Sequence, residues 1–190
     1  MSIIKLLTSS VGRKILMAIT GLLLAFFMAF HLFGNLFLFV GEDAFNAYVE
    51  KLHQLGFLIR IAEFFLVLFV GSHAYSGTLL WIKNRKAKKV VSSYSKVNTS
   101  SAARSAAFTG SIVFIFLATH WSTFWYKFNF LQGMSYYYVV TESSVGFGSP
   151  AVSIFYIIAI ALLGYHLKHG ITSAGQTLGI VGTKYEKIYN

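Results

Sequence analysis

The chain has 190 residues, of which 56% are hydrophobic and only 12% are charged. That is about half the charge usual in a soluble domain, so the composition excludes an ordinary soluble protein and predicts a membrane protein. The net charge of +10 would suggest nucleic-acid binding in a soluble chain, but here the positive charges lie between apolar segments and indicate membrane topology.

Four apolar segments predict four membrane-spanning helices at residues 15–40, 57–82, 105–127 and 150–177. The first segment has no charged residue over its whole length, and about 20 apolar residues are enough to cross a bilayer. It is too long for a cleavable signal sequence, and no small-residue cleavage site follows it. The predicted fold class is therefore all-α, a polytopic four-helix transmembrane bundle formed by residues 1–190 as a single domain.

Basic residues are concentrated on one side of this topology. They precede the first span, fill the loop of residues 83–104 and follow the fourth span, whereas the other two connections contain most of the acidic residues. The positive-inside rule therefore predicts that both termini and the basic loop are cytoplasmic. Such a loop is primarily a topology signal, although it can also dock an acidic partner.

Each predicted span carries one histidine: His31, His73, His120 and His166. Counting from the cytoplasmic ends at about 1.5 Å per residue places His31 and His120 about 25 Å deep and the other two about 15 Å deep. Ionisable residues inside spans usually face the bundle interior. A single one is often a packing residue with a hydrogen bond, but four at paired depths favour a shared chemical role.

Two histidines at one depth on facing helices can bind one haem iron from both sides. Two such pairs predict two haems b, which together provide a path for electrons across the membrane. Because the chain has no cysteine, covalently attached c-type haem, thiolate zinc sites and iron–sulfur clusters are excluded. Gly34, Gly77 and Gly170 follow three of the histidines and are candidates for leaving room beside a porphyrin.

Several motifs resemble a known family. They are SSVGRKILMAITG (9–21), HLFGN (31–35), LIRIAE (58–63), HAYSG (73–77), THW (119–121), YHLKHG (165–170) and SAGQTLG (173–179). In this order and spacing they resemble the cytochrome b membrane anchor of succinate dehydrogenase and fumarate reductase. The resemblance runs from about Ser9 to Gly179 and is greatest to the fused, two-haem b558 type of bacterial succinate:quinone oxidoreductase.

The resemblance implies a subunit of the bacterial cytoplasmic membrane that binds a flavoprotein and an iron–sulfur protein on its cytoplasmic face. It would pass electrons between the iron–sulfur subunit and a membrane quinone, expected to be menaquinone, and would have no dicarboxylate site of its own. The family's haem ligands correspond to His31 paired with His120 and to His73 paired with His166. Family members of this type have a fifth span, so we expect either a four-span form or a portion of a longer chain.

The remaining candidate contacts lie near the ends of the spans. Ser10 and Arg13 are candidates for an inner quinone site or a haem propionate, because both ligands need hydroxyl or cationic donors. His169, one turn beyond His166, is a candidate for a propionate or quinone contact rather than an axial ligand. His53 and Glu50 are candidates for a quinone contact on the outer side.

Two alternatives stay open at this point. One is another di-haem cytochrome b, such as the membrane anchor of a hydrogenase or formate dehydrogenase. The other is a histidine-based proton or metal-ion transporter, which usually has carboxylates at mid-depth. Only Glu63 approaches a span, and Arg60 one turn before it predicts an ion pair instead.

Overall fold

The computed structural model describes residues 9–88, 101–130 and 133–180. Within these residues all regular secondary structure is helical. Four helical stretches are long and apolar enough to cross a membrane: Ser10–Val40, Phe57–Arg85, Ser105–Phe130 and Pro150–Thr177. The predictions of an all-α fold and of four helices long and apolar enough to span a membrane are confirmed.

The helices follow one another with short connections. They are α1 (Ser10–Val40), α2 (Glu42–Gln54), α3 (Phe57–Lys88), α4 (Ser101–His120), a π-helical turn (Trp121–Trp125), α5 (Tyr126–Phe130), α6 (Tyr136–Thr141) and α7 (Pro150–Thr177). Pro150 begins α7, a position where its missing N–H leaves no helical hydrogen bond unmade.

Three long helices extend beyond their predicted apolar segments, and one of them is α4, which begins at Ser101 rather than residue 105. Helix α1 begins at Ser10 rather than residue 15, and α3 continues to Lys88 rather than ending at residue 82. Basic side chains at the end of a span can keep their charges in the polar interface while the backbone remains helical. The predicted loop of residues 83–104 is therefore partly helical at both ends, and its residues 89–100 lie outside the described residues.

The connection between the first two spans contains a helix that the sequence analysis did not predict. Gly41, with φ of 130°, separates α2 from α1, and the acidic Glu42 and Asp43 begin the helix, where its dipole favours negative charge. Phe45 and Val49 are one turn apart and both are buried. This apolar face anchors α2 on the protein.

The described chain forms two compact units. The first contains α1 up to Phe26, α3 from Leu66, α4 up to Gly110 and α7 from Gly164. The second contains residues 27–65 and 111–163. The core of the second unit consists of Phe45, Val49, Phe116, Phe124, Val139, Val140, Tyr156 and Ala159.

Asn46 links α2 to the start of α6. Its side-chain oxygen accepts a hydrogen bond from the Tyr137 backbone N–H at 2.9 Å, and its amide nitrogen donates to Ser135 Oγ at 2.9 Å. Ser135 is in turn the N-cap of α6, because its hydroxyl accepts from the Tyr138 N–H. One side chain of α2 thus satisfies donors and acceptors at the beginning of another helix.

Candidate functional site: two histidine pairs

The first unit brings together two of the four span histidines. His73 on α3 and His166 on α7 have ring centres 6.3 Å apart and ring planes at 79°. Both side chains are partly buried. These are the two histidines that the depth estimate paired.

A threonine hydroxyl lies beside each ring of this pair. Thr20 Oγ1 is 3.3 Å from His73 Nδ1, and Thr109 Oγ1 is 3.3 Å from His166 Nδ1. Both threonines are only 3% exposed. The two histidines therefore have matching hydrogen-bond partners, contributed by α1 and α4.

A glycine follows each of these threonines and lets the histidine ring approach the helix backbone. A Cβ atom at Gly21 would lie 3.1 Å from His73 Cε1, and one at Gly110 would lie 3.1 Å from His166 Cε1. Such contacts are tighter than ordinary van der Waals separation. Each histidine ring can therefore lie this close to the neighbouring helix only because Gly21 and Gly110 have no side chain.

These Thr-Gly dipeptides were not among the site residues predicted from the sequence. A signal for them exists, because Thr20 lies 11 residues before His31 and Thr109 lies 11 residues before His120. The same dipeptide at the same distance from two predicted ligands indicates an internal repeat. Which helix faces each dipeptide becomes visible only in the structure.

The second unit contains the other histidine pair. His31 on α1 and His120 at the end of α4 have ring centres 5.5 Å apart and planes at 90°. Phe27 stacks on His31 with ring centres 5.6 Å apart, and Phe124 meets the edge of the His120 ring at 5.4 Å. Aromatic rings therefore surround this pair.

Tyr156 of α7 is the polar partner of His120. Its hydroxyl is 3.2 Å from His120 Nδ1, and its side chain is buried in the core of the second unit. Phe116 packs against both rings, with centres 5.7 Å from His120 and 4.9 Å from Tyr156. His120 is thus held by packing on one side and a hydroxyl at Nδ1.

The backbone changes directly after His120. Residues Trp121–Trp125 form one π-helical turn, in which the Tyr126 N–H bonds to the Trp121 carbonyl. An inserted residue of this kind rotates the following side chains relative to an α-helix, and such turns are frequent at functional sites. In this turn Phe124 is buried and packs against His120. The next residue, Trp125, donates a hydrogen bond from Nε1 to Glu63 Oε1 at 2.8 Å.

Glu63 is fully engaged by its neighbours. Arg60 donates to it at 2.8 Å, which is the ion pair expected from the sequence, and Trp125 donates to its other oxygen. Arg60 also donates to Asn129 Oδ1. Glu63 therefore ties the start of α3 to the π-helical turn.

The glycines predicted to leave room beside a porphyrin have different surroundings. A Cβ at Gly34 would overlap the phenol ring of Tyr48, at distances of 2.6–2.9 Å, so Gly34 makes room for a side chain of α2. At Gly77 the nearest atom is Met17 Sδ, at an ordinary 3.5 Å, and at Gly170 nothing lies within 4 Å. The glycines that contact histidines are Gly21 and Gly110.

His53 and Glu50 line a cleft of about 680 Å³ formed by α2 and the segments around α5 and α6. Tyr136 Oη is 3.3 Å from His53 Nδ1. Loss of hydration and the nearby charge of Glu50 raise the pKa of Tyr136. His53, Glu50 and Tyr136 therefore lie together in one open cleft.

The remaining candidates lie in the first unit. The Lys83 ammonium donates to the Ser10 hydroxyl, and Arg13 is partly exposed on the same helix as Ser10. His169 is partly buried on α7. The histidine of α7 whose ring contacts His73 is His166.

Two facing histidines are a donor set of the kind that haem iron uses. Within residues 9–88, 101–130 and 133–180, no three His, Cys, Asp or Glu side chains gather as a metal site would require; a zinc site needs three or four protein ligands. Haem iron requires only two axial ligands from the protein. With metal–nitrogen bonds of about 2 Å, two such imidazoles have centres about 6.2 Å apart. The His73–His166 separation of 6.3 Å agrees, whereas the 5.5 Å of His31–His120 would have to widen.

Comparison with protein-family models, curated proteins and solved structures finds no match to this chain.

Proposed function

We propose that this chain is a di-haem cytochrome b that anchors a succinate dehydrogenase or fumarate reductase in the bacterial cytoplasmic membrane. The observation that carries the proposal is the pairing of all four span histidines, His31 with His120 and His73 with His166. Each pair lies on helices that are long and apolar enough to cross a membrane. Two facing imidazoles in such surroundings suit a bis-histidine haem.

In this function the four histidines would hold two haems b. When bound, haem iron supplies reversible one-electron chemistry. The protein's part is to fix the imidazoles, to exclude water from them with aromatic and aliphatic side chains, and to set ligand basicity through the groups at Nδ1. Thr20, Thr109 and Tyr156 occupy those Nδ1 positions.

Quinone, expected to be menaquinone, is the proposed membrane substrate. Its carbonyl oxygens accept hydrogen bonds, and its reduction takes up protons, so a quinone site needs donors and titratable groups. The cleft with His53, Glu50 and Tyr136 offers both on one side. Ser10, Arg13 and Lys83 offer hydroxyl and cationic donors in the first unit, where His169 is a further candidate.

The partners we propose are the flavoprotein and iron–sulfur subunits, docked on the cytoplasmic side. The basic segment that begins with Lys83 and Arg85 would attract an acidic surface. Arg85 lies over the Trp81 ring at 5.3 Å, which holds one of these charges at the end of the span. Both termini would face the same side.

A transporter is less well supported. Among the described spans, the one carboxylate is that of Glu63, which lies near the start of α3 rather than at mid-depth and is paired with Arg60 and Trp125. A di-haem anchor of a hydrogenase or formate dehydrogenase would use the same histidine pairs. The electron donor therefore distinguishes these functions.

The test is to express the chain together with candidate flavoprotein and iron–sulfur subunits and to follow the haem absorbance in isolated membranes. We expect succinate to reduce the haems and an added naphthoquinone to reoxidise them. A His73→Ala variant should lose the response of one haem. Haems that respond to hydrogen or formate but not to succinate would assign the chain to another di-haem anchor.

A further inference from the structure

The two Thr-Gly dipeptides form the same arrangement twice in one unit. Thr20 and Thr109 each lie 3.3 Å from the Nδ1 of a histidine, and Gly21 and Gly110 each stand opposite the Cε1 of that same histidine at 3.1 Å. Both dipeptides lie in an Ala-x-Thr-Gly sequence, Ala18 to Gly21 and Ala107 to Gly110, in which only the residue before the threonine differs. The same short motif therefore produces the same geometry twice.

The direction of each hydrogen bond follows from where the threonine proton goes. Thr20 Oγ1 donates to the Leu16 carbonyl at 2.8 Å, and Thr109 Oγ1 lies 3.2 Å from the carbonyls of both Ser105 and Ala106. A hydroxyl has a single hydrogen, and for both threonines a backbone carbonyl lies closer to Oγ1 than the histidine Nδ1 does, which favours the oxygen as the acceptor toward histidine. With the hydroxyl hydrogen on the carbonyl, the proton between the two side chains belongs to Nδ1 of His73 and of His166.

We propose that Thr20 and Thr109 are positioning residues that fix His73 and His166 in the Nδ1-protonated tautomer and so present both Nε2 lone pairs to one metal. Fixing the tautomer through the group at the other ring nitrogen is the usual way in which proteins orient metal-binding histidine. The part that concerns iron rests on the proposed function. The part that concerns the tautomer rests on the hydrogen bonds alone.

Burial strengthens the effect of the threonines on the histidine tautomer. Both threonines are 3% exposed, so water has little access to compete for the Nδ1 proton. The acceptor also makes the imidazole a more basic ligand, which stabilises ferric over ferrous iron. Removing the hydroxyl should therefore weaken ligation and raise the midpoint potential of the haem held by this pair.

Two kinds of variant separate the effect of the hydroxyl group from the effect of side-chain size. Thr20→Val and Thr109→Val keep the size and remove the acceptor, whereas Thr20→Ser and Thr109→Ser keep the acceptor. Thr172→Val is the matched control, because the Thr172 hydroxyl donates to the Lys168 carbonyl in the same i to i−4 manner and is exposed on α7.

The first measurement does not depend on haem. Nitrogen-15 NMR of the full chain, produced without haem and labelled at histidine, reports which ring nitrogen is protonated. We expect His73 and His166 to be Nδ1-protonated in the parent and in the serine variants, and to lose this fixed tautomer in the valine variants. Nε2-protonated rings in the parent chain would overturn the proposal.

The second measurement uses the assembled complex. Each valine variant should lower haem affinity at this pair by about 10- to 100-fold and raise the midpoint potential of any haem retained, while serine restores both values. Equal loss in the valine and serine variants, or no change in either, would overturn the proposal. If the parent binds no haem, the proposed function fails, and the tautomer measurement still decides the role of the threonines.

Discussion

At the scale of single residues, the groups at Nδ1 distinguish the span histidines from one another. His73 and His166 contact threonine hydroxyls, whereas His120 contacts the phenol of Tyr156. His169 lies on the same helix as His166, one turn further on, and the ring that faces His73 is that of His166. The choice between these two neighbours can be tested directly.

We expect His166→Ala to lose one haem and electron transfer to quinone, because it removes one of the two facing imidazoles. His169→Ala should keep both haems and at most change a midpoint potential or the affinity for quinone. Haem content of the purified complex distinguishes these outcomes. Loss of haem in His169→Ala alone would mean that the ligand on α7 lies one turn further along.

Gly110→Ala should partly deplete the haem at the His73–His166 pair, because the added methyl would press on His166 Cε1. Gly164→Ala, on the helix that carries His166, is the control, since nothing lies within 4 Å of a Cβ there. Both substitutions favour the helix by about 1 kcal/mol. A difference in haem content between them therefore reports the local contact, and equal haem content would show that the ring accommodates the methyl.

At the scale of secondary-structure elements, the spans were predictable because an uninterrupted apolar segment long enough to cross a membrane rarely forms anything other than a membrane-spanning helix. The second and fourth spans begin where expected, at Phe57 and Pro150. Helix α2 was missed, although Phe45 and Val49 at i and i+4 are a signal for it.

The π-helical turn after His120 and the Thr-Gly contacts could not be predicted in the same way. The first depends on packing around Phe124, and the second depends on which helix faces which. Sequence periodicity specifies the face of one helix but not its neighbour. The four histidines were accessible from sequence because each is an ionisable residue in an apolar span.

Asn46→Ala should destabilise the packing of α2 against α6 by about 1–3 kcal/mol, because it leaves the Tyr137 N–H without its side-chain acceptor and removes one of the two donors to Ser135 Oγ. Unfolding in mixed detergent, followed by tyrosine and tryptophan fluorescence, measures the change. Ser122→Ala removes an exposed hydroxyl that bonds only within its helix region and serves as control. Equal stability of the two variants would contradict a structural role for Asn46.

At the scale of the whole molecule, the distribution of charge predicts how the chain meets its partners. Neutralising Lys83, Arg85, Lys86, Lys88 and Lys89 with glutamine should weaken attachment of the soluble subunits and leave both haems in place. Electrostatic docking is screened by salt, so the difference from the parent should shrink as salt is raised. Attachment that is the same for both proteins across a salt series in detergent would exclude this segment as the docking surface.

The central claim, that four histidines hold two haems b, is tested most directly by pyridine haemochrome analysis of the intact complex. We expect two haems b per chain in the parent. The double variants His31→Ala/His120→Ala and His73→Ala/His166→Ala should each retain one. One haem or none per parent chain, or two haems in either double variant, would contradict the claim.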